Sequence, residues 1–372
     1  MKGVDIMNLT CTKQQLVEAV SNVQRAVSSK SSVPALEGIL LKAREGEIFL
    51  CGYDLELGIT TAIEASVEET GAVILNARLF SDIVRRLPAD TVQLTTDEKD
   101  VTTIHSGNSE FSIAGIPAAE YPELPVVTDE SSIALSHTMM KGMIRQTIFA
   151  VAESDAKPIH TGTLFEIGEG VVRLVSVDGY RLAIREEKAA DAVEAMNFVV
   201  PGKSLGEVLK LLSDDEESKV SLQVGRRHIL FNIGRYTLIS RLLEGEFLDY
   251  RAAIPASASM EVICKTRDFI ESVERVSLLI TDRMKSPIRC VFDTDEISLS
   301  CSTAIGRASD QFTARVSGDP VEIGFNNRFL LDALRNTEGD EVRIQLNGPL
   351  SPMKILPREG DAFLFLVLPV RL

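Results

Sequence analysis

One order of elements recurs three times along this chain, and that recurrence leaves few folds open. Each copy starts with a short strand, a cap and an amphipathic helix. The first is MNLTCTKQQLVEAVSNVQRAV from Met7, the second SSIALSHTMMKGMIRQTIFAVA from Ser131, the third MEVICKTRDFIESVERVSLLI from Met260. Apolar residues then fall on one helical face: Leu16, Val20, Val23 and Val27; Met140, Ile144, Ile148 and Val151; Phe269, Val273, Val276 and Ile280. Gaps of three and four are the period of a helix with one buried side. Thr12 and Gln15 have the spacing of a capping box.

Alternating strands follow in each copy (GILLKAREGEIFLCGYD, TLFEIGEGVVRLVSVDG, IRCVFDTDEISLSCST), with turn residues between them that read as hairpins. A second helix comes next, anchored at Asn76, Pro201 and Phe325, which lie 125 and 124 residues apart. A closing set of strands ends in FSIAGIP, YTLISRLLEG or FLFLVLPVRL. A third of 372 residues is 124. That period exceeds those of solenoid repeats, so the copies read as domains. The segments YPELPVVTDE and YRAAIPASAS read as connectors. The expected architecture is α+β, with three similar domains at 1–128, 129–257 and 258–372.

Composition narrows the function. Apolar residues make up 45% and charged residues 25%, as in ordinary globular chains. No apolar run reaches the 18 or so residues that span a bilayer, and MKGVDIMNLT lacks the apolar core of a secretory signal. Five scattered cysteines (Cys11, Cys51, Cys264, Cys290, Cys301) without CxxC spacing suggest reduced thiols and a cytoplasmic protein. His105, His137, His160 and His228 are isolated, so neither a metal nor another cofactor is expected. The formal net charge of −15 argues, as a total, against nucleic acid. Its distribution argues otherwise. The six expected helical segments (13–30, 78–86, 137–151, 203–212, 266–285, 328–335) hold sixteen basic and eight acidic residues, a balance of +8 that leaves −23 for the rest. Helices sharing one surface would make it positive, able to hold phosphates without reading bases. Any one helix alone is more simply read as a solvated face.

Several segments carry a family resemblance: SVDGYRLAIRE (176–186), FVVPGKSLGEVLKLL (198–212), LLEGEFLDYRAAIP (242–255), KPIHTG (157–162) and VLPVRL (367–372). In order and spacing they resemble the bacterial sliding clamps, the beta subunits of DNA polymerase III, over nearly the whole chain from Met7. Residues 1–6 look like an extension before the usual start. The resemblance implies a head-to-tail homodimer, a closed ring of six domains with helices lining the hole and sheets outside. Such a ring encircles double-stranded DNA without sequence preference and tethers the replicative polymerase. Other implied partners are the clamp loader and further proteins carrying the clamp-binding motif; no membrane is implied.

Residue by residue, the resemblance places a partner-peptide groove at His160, Val177, Gly179, Tyr180, Arg181, Leu182, Leu248, Ala252, Ala253, Pro352, Leu366, Val367, Leu368, Pro369, Val370, Arg371 and Leu372. The sequence departs from the family pattern at Leu248, often Pro, at Tyr180, often His, and at Ala252, often a longer basic residue. For DNA, Lys30 and Arg78 match family positions, while Arg85, Lys141 and Lys203 rest on helix placement. The dimer contact would join the strand of Phe111 and Ile113 to the helix end at Leu278 and Leu279. Core burial is the competing reading for Phe111 and Ile113, and a buried terminal strand for the C-terminus. An enzyme is disfavoured, because no GxSxG, P-loop, HExxH or complete GxGxxG occurs. A protein-binding scaffold without DNA encirclement is the alternative.

Overall fold

A computed structural model describes residues 6–128, 132–154, 156–189, 195–281 and 286–372. The expected extension at 1–6 falls outside it except for Ile6, as do Ser131, Arg283 and Lys285.

The three copies have one element order. Strand Met7–Thr12 leads into α1 (Lys13–Val23), Ser132–Ser136 into α3 (His137–Ile148), and Met260–Lys265 into α5 (Thr266–Ser277). The second helix of each copy is α2 (Ala77–Arg86), α4 (Gly202–Leu211) and α6 (Asn327–Arg335). In every copy the leading strand pairs antiparallel with the strand after that second helix. The helical stripes are buried as their spacing requires: Leu16, Val20 and Val23, then Met140 and Ile144, then Phe269, Val273 and Val276. Each such side chain contributes about 1.5–3 kcal/mol when removed from water.

The elements group into two compact units, and the division falls inside α3 and α4. The first holds residues up to 138 together with 207–242. Its larger sheet has nine strands in the order Ile116–Pro117, Ala72–Asn76, Gly38–Arg44, Glu47–Tyr53, Leu57–Glu64, Tyr236–Arg241, His228–Ile233, Lys219–Val224 and Ser132–Ser136. Its smaller sheet runs Ser66–Glu69, Met7–Thr12, Thr91–Thr96, Val101–Ser106, Ser109–Ala114. The second unit holds 139–206 and 243–372. Its nine strands run Met196–Pro201, Gly162–Gly168, Val171–Val177, Arg181–Lys188, Phe363–Val367, Met353–Pro357, Glu341–Leu346, Met260–Lys265, Arg315–Ser317. Four more form the order Gly306–Thr313, Glu296–Thr303, Ile288–Asp293, Val321–Phe325. Each large sheet thus joins strands from two copies, at Leu238 opposite Ile59 in one and Ile184 opposite Leu364 in the other.

Local details correct the sequence reading. The hairpin turns sit where expected, with Gly46, Gly170 and Asp295 at positive φ. The capping box does not form: Thr12 donates its hydroxyl to Gln15 Oε1 at 3.1 Å, and neither side chain caps the backbone. Asn76 and Asn326 are working caps, accepting from Leu79 N at 3.0 Å and from Arg328 N at 2.9 Å. The first helix is shorter than expected. A 3-10 turn at Gln24–Ala26 ends it, so Lys30 lies in the following loop. With the observed bounds the six helices hold twelve basic and seven acidic residues, +5 in place of +8. That balance sits on α2, α3 and α4. In the third copy Arg267 pairs with Glu271, Arg275 with Asp310 and Arg335 with Glu274, each at 2.7 Å.

Candidate functional site

The second unit carries the expected groove residues, and the backbone explains why they are presented. Strand Phe363–Val367 is paired on both sides, by Arg181–Lys188 and Met353–Pro357. Pairing stops at Val367, and the chain continues on single ties: Leu368 N donates to Tyr180 O at 2.9 Å, and Val370 N to Gly324 O at 2.8 Å. Leu366 and Val367 are therefore core, on opposite faces of the sheet. Leu368, Val370 and Leu372 remain exposed, an unusual density of apolar surface at a chain end. The buried-strand reading holds as far as Val367, and beyond it the tail is largely exposed.

Two cavities flank this tail. One, of about 890 Å³, is lined by Pro352, Leu368, Pro369, Arg371 and Leu372, with Gly324 and Leu350 opposite. The other, of about 790 Å³, is lined by Tyr180, Arg181, Asn326, Phe329 and Asp332. Val370 borders both. Sequence reasoning misses Asn326, Phe329, Gly324 and Leu350. Asn326 and Phe329 belong to the second-helix pattern, which explains them as cap and stripe without needing a surface role.

The turn before Tyr180 is set by Asp178, whose Oδ1 accepts from Tyr180 N at 2.9 Å and Arg181 N at 3.0 Å. Gly179 at φ +90 supplies the left-handed residue that this turn needs. Tyr180 stacks on Phe329 at 5.8 Å and is exposed. Arg181 is buried beneath, held by Asp178 at 2.9 Å and Asp332 at 2.5 Å, with its guanidinium 4.6 Å from the Phe329 ring. It is a fixed cation in the floor, not a free one.

Val177, Leu182 and Leu366 are buried together with Ile159 and Tyr250, and Phe247 packs on them. His160 lies edge-on to Phe247 at 5.7 Å, and burial, with Lys157 nearby, holds its pKa below the usual imidazole value. Leu248, Ala252 and Ala253 are exposed on the linker above this cluster and line neither cavity.

The basic candidates divide between the units. Arg78 and Arg85, both exposed on α2, line a cavity of about 470 Å³ with Gln24, Ser28 and Ser29. Lys30 follows Ser29 directly and is also exposed. Arg85 reaches Ser21 Oγ at 3.3 Å, and among the described residues neither arginine has a carboxylate within 4.0 Å. Lys141 is half-buried on α3 and Lys203 exposed on α4; both belong to the second unit.

The dimer candidates lie beside open sheet edges. Ser109–Ala114 ends the five-stranded sheet, and its Phe111 is 40% exposed with Ile113 half-buried, so neither is core. Leu278 follows α5 and is 80% exposed. Leu279 lies beside Gly306, which opens the edge strand Gly306–Thr313. That strand is not legible in the sequence, because GRASDQFT has no apolar alternation. All five cysteines are free and buried, and burial raises the thiols of Cys11, Cys51 and Cys264 to about 12. No metal-binding group of His, Cys, Asp or Glu occurs among the described residues, and no helix there is long and apolar enough to cross a membrane.

Comparison with known proteins matches three family models in succession: the N-terminal domain of the DNA polymerase III beta subunit over residues 7–125, its central domain over 134–249 and its C-terminal domain over 251–371. The chain is 33% identical over 376 residues to the beta sliding clamp of Staphylococcus aureus, covering 98% of this chain and 100% of that one. The crystal structure of the DNA polymerase sliding clamp from Bacillus subtilis is similar with a TM-score of 0.95 at 32% identity, covering 98% of this chain and 99% of that one. The Bartonella birtlesii sliding clamp bound to griselimycin has a TM-score of 0.94 at 29% identity, covering 99% of this chain and 100% of that one.

Proposed function

The chain belongs to the bacterial sliding clamps, the beta subunits of DNA polymerase III, and on that premise we propose how its own residues do the family's work. It is a DNA polymerase processivity factor with three clamp domains and no catalytic role, and it works with DNA, polymerase and proteins bearing the clamp-binding motif. We place its domains at 1–128, 129–257 and 258–372, and its workplace in the cytoplasm.

Two copies join head to tail into a closed ring. The observation that carries this is the pair of unlike open edges, Ser109–Ala114 in one unit and Gly306–Thr313 in the other. Edges with unpaired N–H and C=O groups seek a partner strand. Because the two differ, the contact is heterologous, and it closes only if the rotation permits. Phe111 and Ile113 of one copy meet Leu278, Leu279 and the Gly306–Thr313 strand of the next.

Lys30, Arg78 and Arg85, with Lys141 and Lys203, face the duplex. Their guanidinium and ammonium groups attract phosphates diffusely, so the ring is held near the axis yet free to slide. The exposed apolar tail and its two cavities take an extended peptide with apolar anchors. Tyr180, Leu248, Pro352, Leu368, Val370 and Leu372 form its contact surface. His160, Gly179, Arg181, Ala252, Ala253, Pro369 and Arg371 border it, and Val177, Leu182, Leu366 and Val367 support it from below.

Retention on circular DNA tests the ring. Loaded by its clamp loader onto a nicked circle, the protein should stay bound, and cutting the circle should release it. Equal loss from circles and linear DNA would instead favour a scaffold that never encircles its template.

A further inference from the structure

The proposed groove takes Leu248, Ala252 and Ala253 from a linker that makes little backbone pairing. Leu243 N donates to Val199 O at 2.9 Å at its start, and Lys354 Nζ donates to Pro255 O at 2.9 Å at its end. Between them, residues 247–254 lie over an apolar cluster through Phe247, Tyr250 and Ile254. Apolar contact is non-directional, so it holds the linker down without fixing its position along the sheet.

One carboxylate does fix it. Glu166 Oε2 accepts from Tyr250 OH at 2.7 Å, from Arg251 Nη2 at 2.7 Å and from Arg173 Nη1 at 2.9 Å. Tyr250 and Arg251 are the first two residues of the 3-10 turn Tyr250–Ala253, which begins two residues after Leu248 and carries the exposed Ala252 and Ala253. The other side of the hub is rigid. Glu166, Arg173 and Glu186 stand opposite one another on three adjacent strands, and Arg173 also bonds Glu186 through Nε at 2.8 Å. The hub is largely shielded, with the Glu166 side chain 15% exposed. Burial alone would raise its carboxyl, but the bonds from Tyr250, Arg173 and Arg251 hold it below the ordinary Glu value.

We infer that Glu166 is a positioning residue for partner binding: it latches the linker turn to the sheet and so sets where Leu248, Ala252 and Ala253 meet the peptide. This role rests on the proposed groove. Glu166 touches no peptide; it removes the need to order the linker when one binds. Preorganisation of this kind raises affinity by lowering the ordering cost on association.

The test measures the Kd of a labelled peptide bearing the polymerase's clamp-binding motif, on the full-length protein, by fluorescence polarisation. Glu166→Gln keeps shape and removes charge, and it should weaken binding about five- to tenfold. Tyr250→Phe and Arg251→Gln, milder changes of which the second is at an exposed site, should each weaken it about two- to threefold. Retention on circular DNA should not change. A merely structural role would act through general loosening, so the deciding readout is coupling. In a Leu248→Ala background, Glu166→Gln should cost less than about twofold, because the wall it positions has lost its main side chain. An unchanged Kd for Glu166→Gln, or an equal loss in both backgrounds, would overturn the latch. If Leu248→Ala and removal of Val370–Leu372 both bind like the parent, the groove itself falls, and the latch falls with it.

Discussion

Phe111→Ala measures how much the open edge contributes to ring closure. The proposed ring buries the exposed part of Phe111 against the next copy. A Phe side chain carries about 200 Å² of surface, and 40% exposure leaves about 80 Å² to cover. At about 25 cal/mol per Å², that is about 2 kcal/mol for each interface. A closed ring of two chains has two such interfaces, so the dimer loses about 4 kcal/mol, or roughly a thousandfold in Kd. The larger part of Phe111 is already covered within the single chain, so the truncation also costs the monomer some stability, and the dimer constant is compared only under conditions where the variant monomer stays folded. Sedimentation equilibrium over a dilution series reads the Kd, and a thermal melt of the monomer controls for unfolding. A dimer constant within about fivefold of the parent would refute the reasoning, because 80 Å² of apolar surface cannot be covered for so little.

Arg78→Ala with Arg85→Ala should reduce the dependence of log K for DNA on log salt by about 0.9 for each phosphate no longer neutralised, read from binding isotherms across ionic strength. Removing Val370–Leu372 takes away the side chain shared by both cavities, so peptide affinity should fall at least about tenfold while the dimer persists in sedimentation. Arg181→Leu leaves Asp178 and Asp332 without their buried cation, and chemical denaturation should show a loss of about 3–5 kcal/mol. Glu166 has a lowered pKa in the folded state, so its stabilising contribution is present above the unfolded Glu value and lost as pH falls through the folded one; Glu166→Gln should therefore flatten the acid limb of a stability–pH curve.

What the sequence reveals here follows from which constraints are local. The three helical stripes and the hairpin alternations are readable because each element buries one face, and burial imposes a period. Strand partnership is not local. Leu57–Glu64 pairs with Tyr236–Arg241, and Arg181–Lys188 with Phe363–Val367, across more than 170 residues, and nothing in either period names its partner. The same limit governs the groove. Leu366, Val367, Leu368 and Val370 are chemically alike, yet the first two are core and the last two surface. The difference arises where sheet pairing stops, a property of Arg181 and Met353 across the sheet as much as of the tail. Charge behaves likewise. Arg275 and Arg335 count as positive in a sequence sum, but Asp310 and Glu274 neutralise them in space, while Arg78 and Arg85 meet no such partner among the described residues. A net charge on a segment becomes an argument about a ligand only after its internal ion pairs are removed, and among the described residues that subtraction points most directly to Arg78 and Arg85 of α2, since on α4 Lys210 already pairs with Glu207 at 2.7 Å.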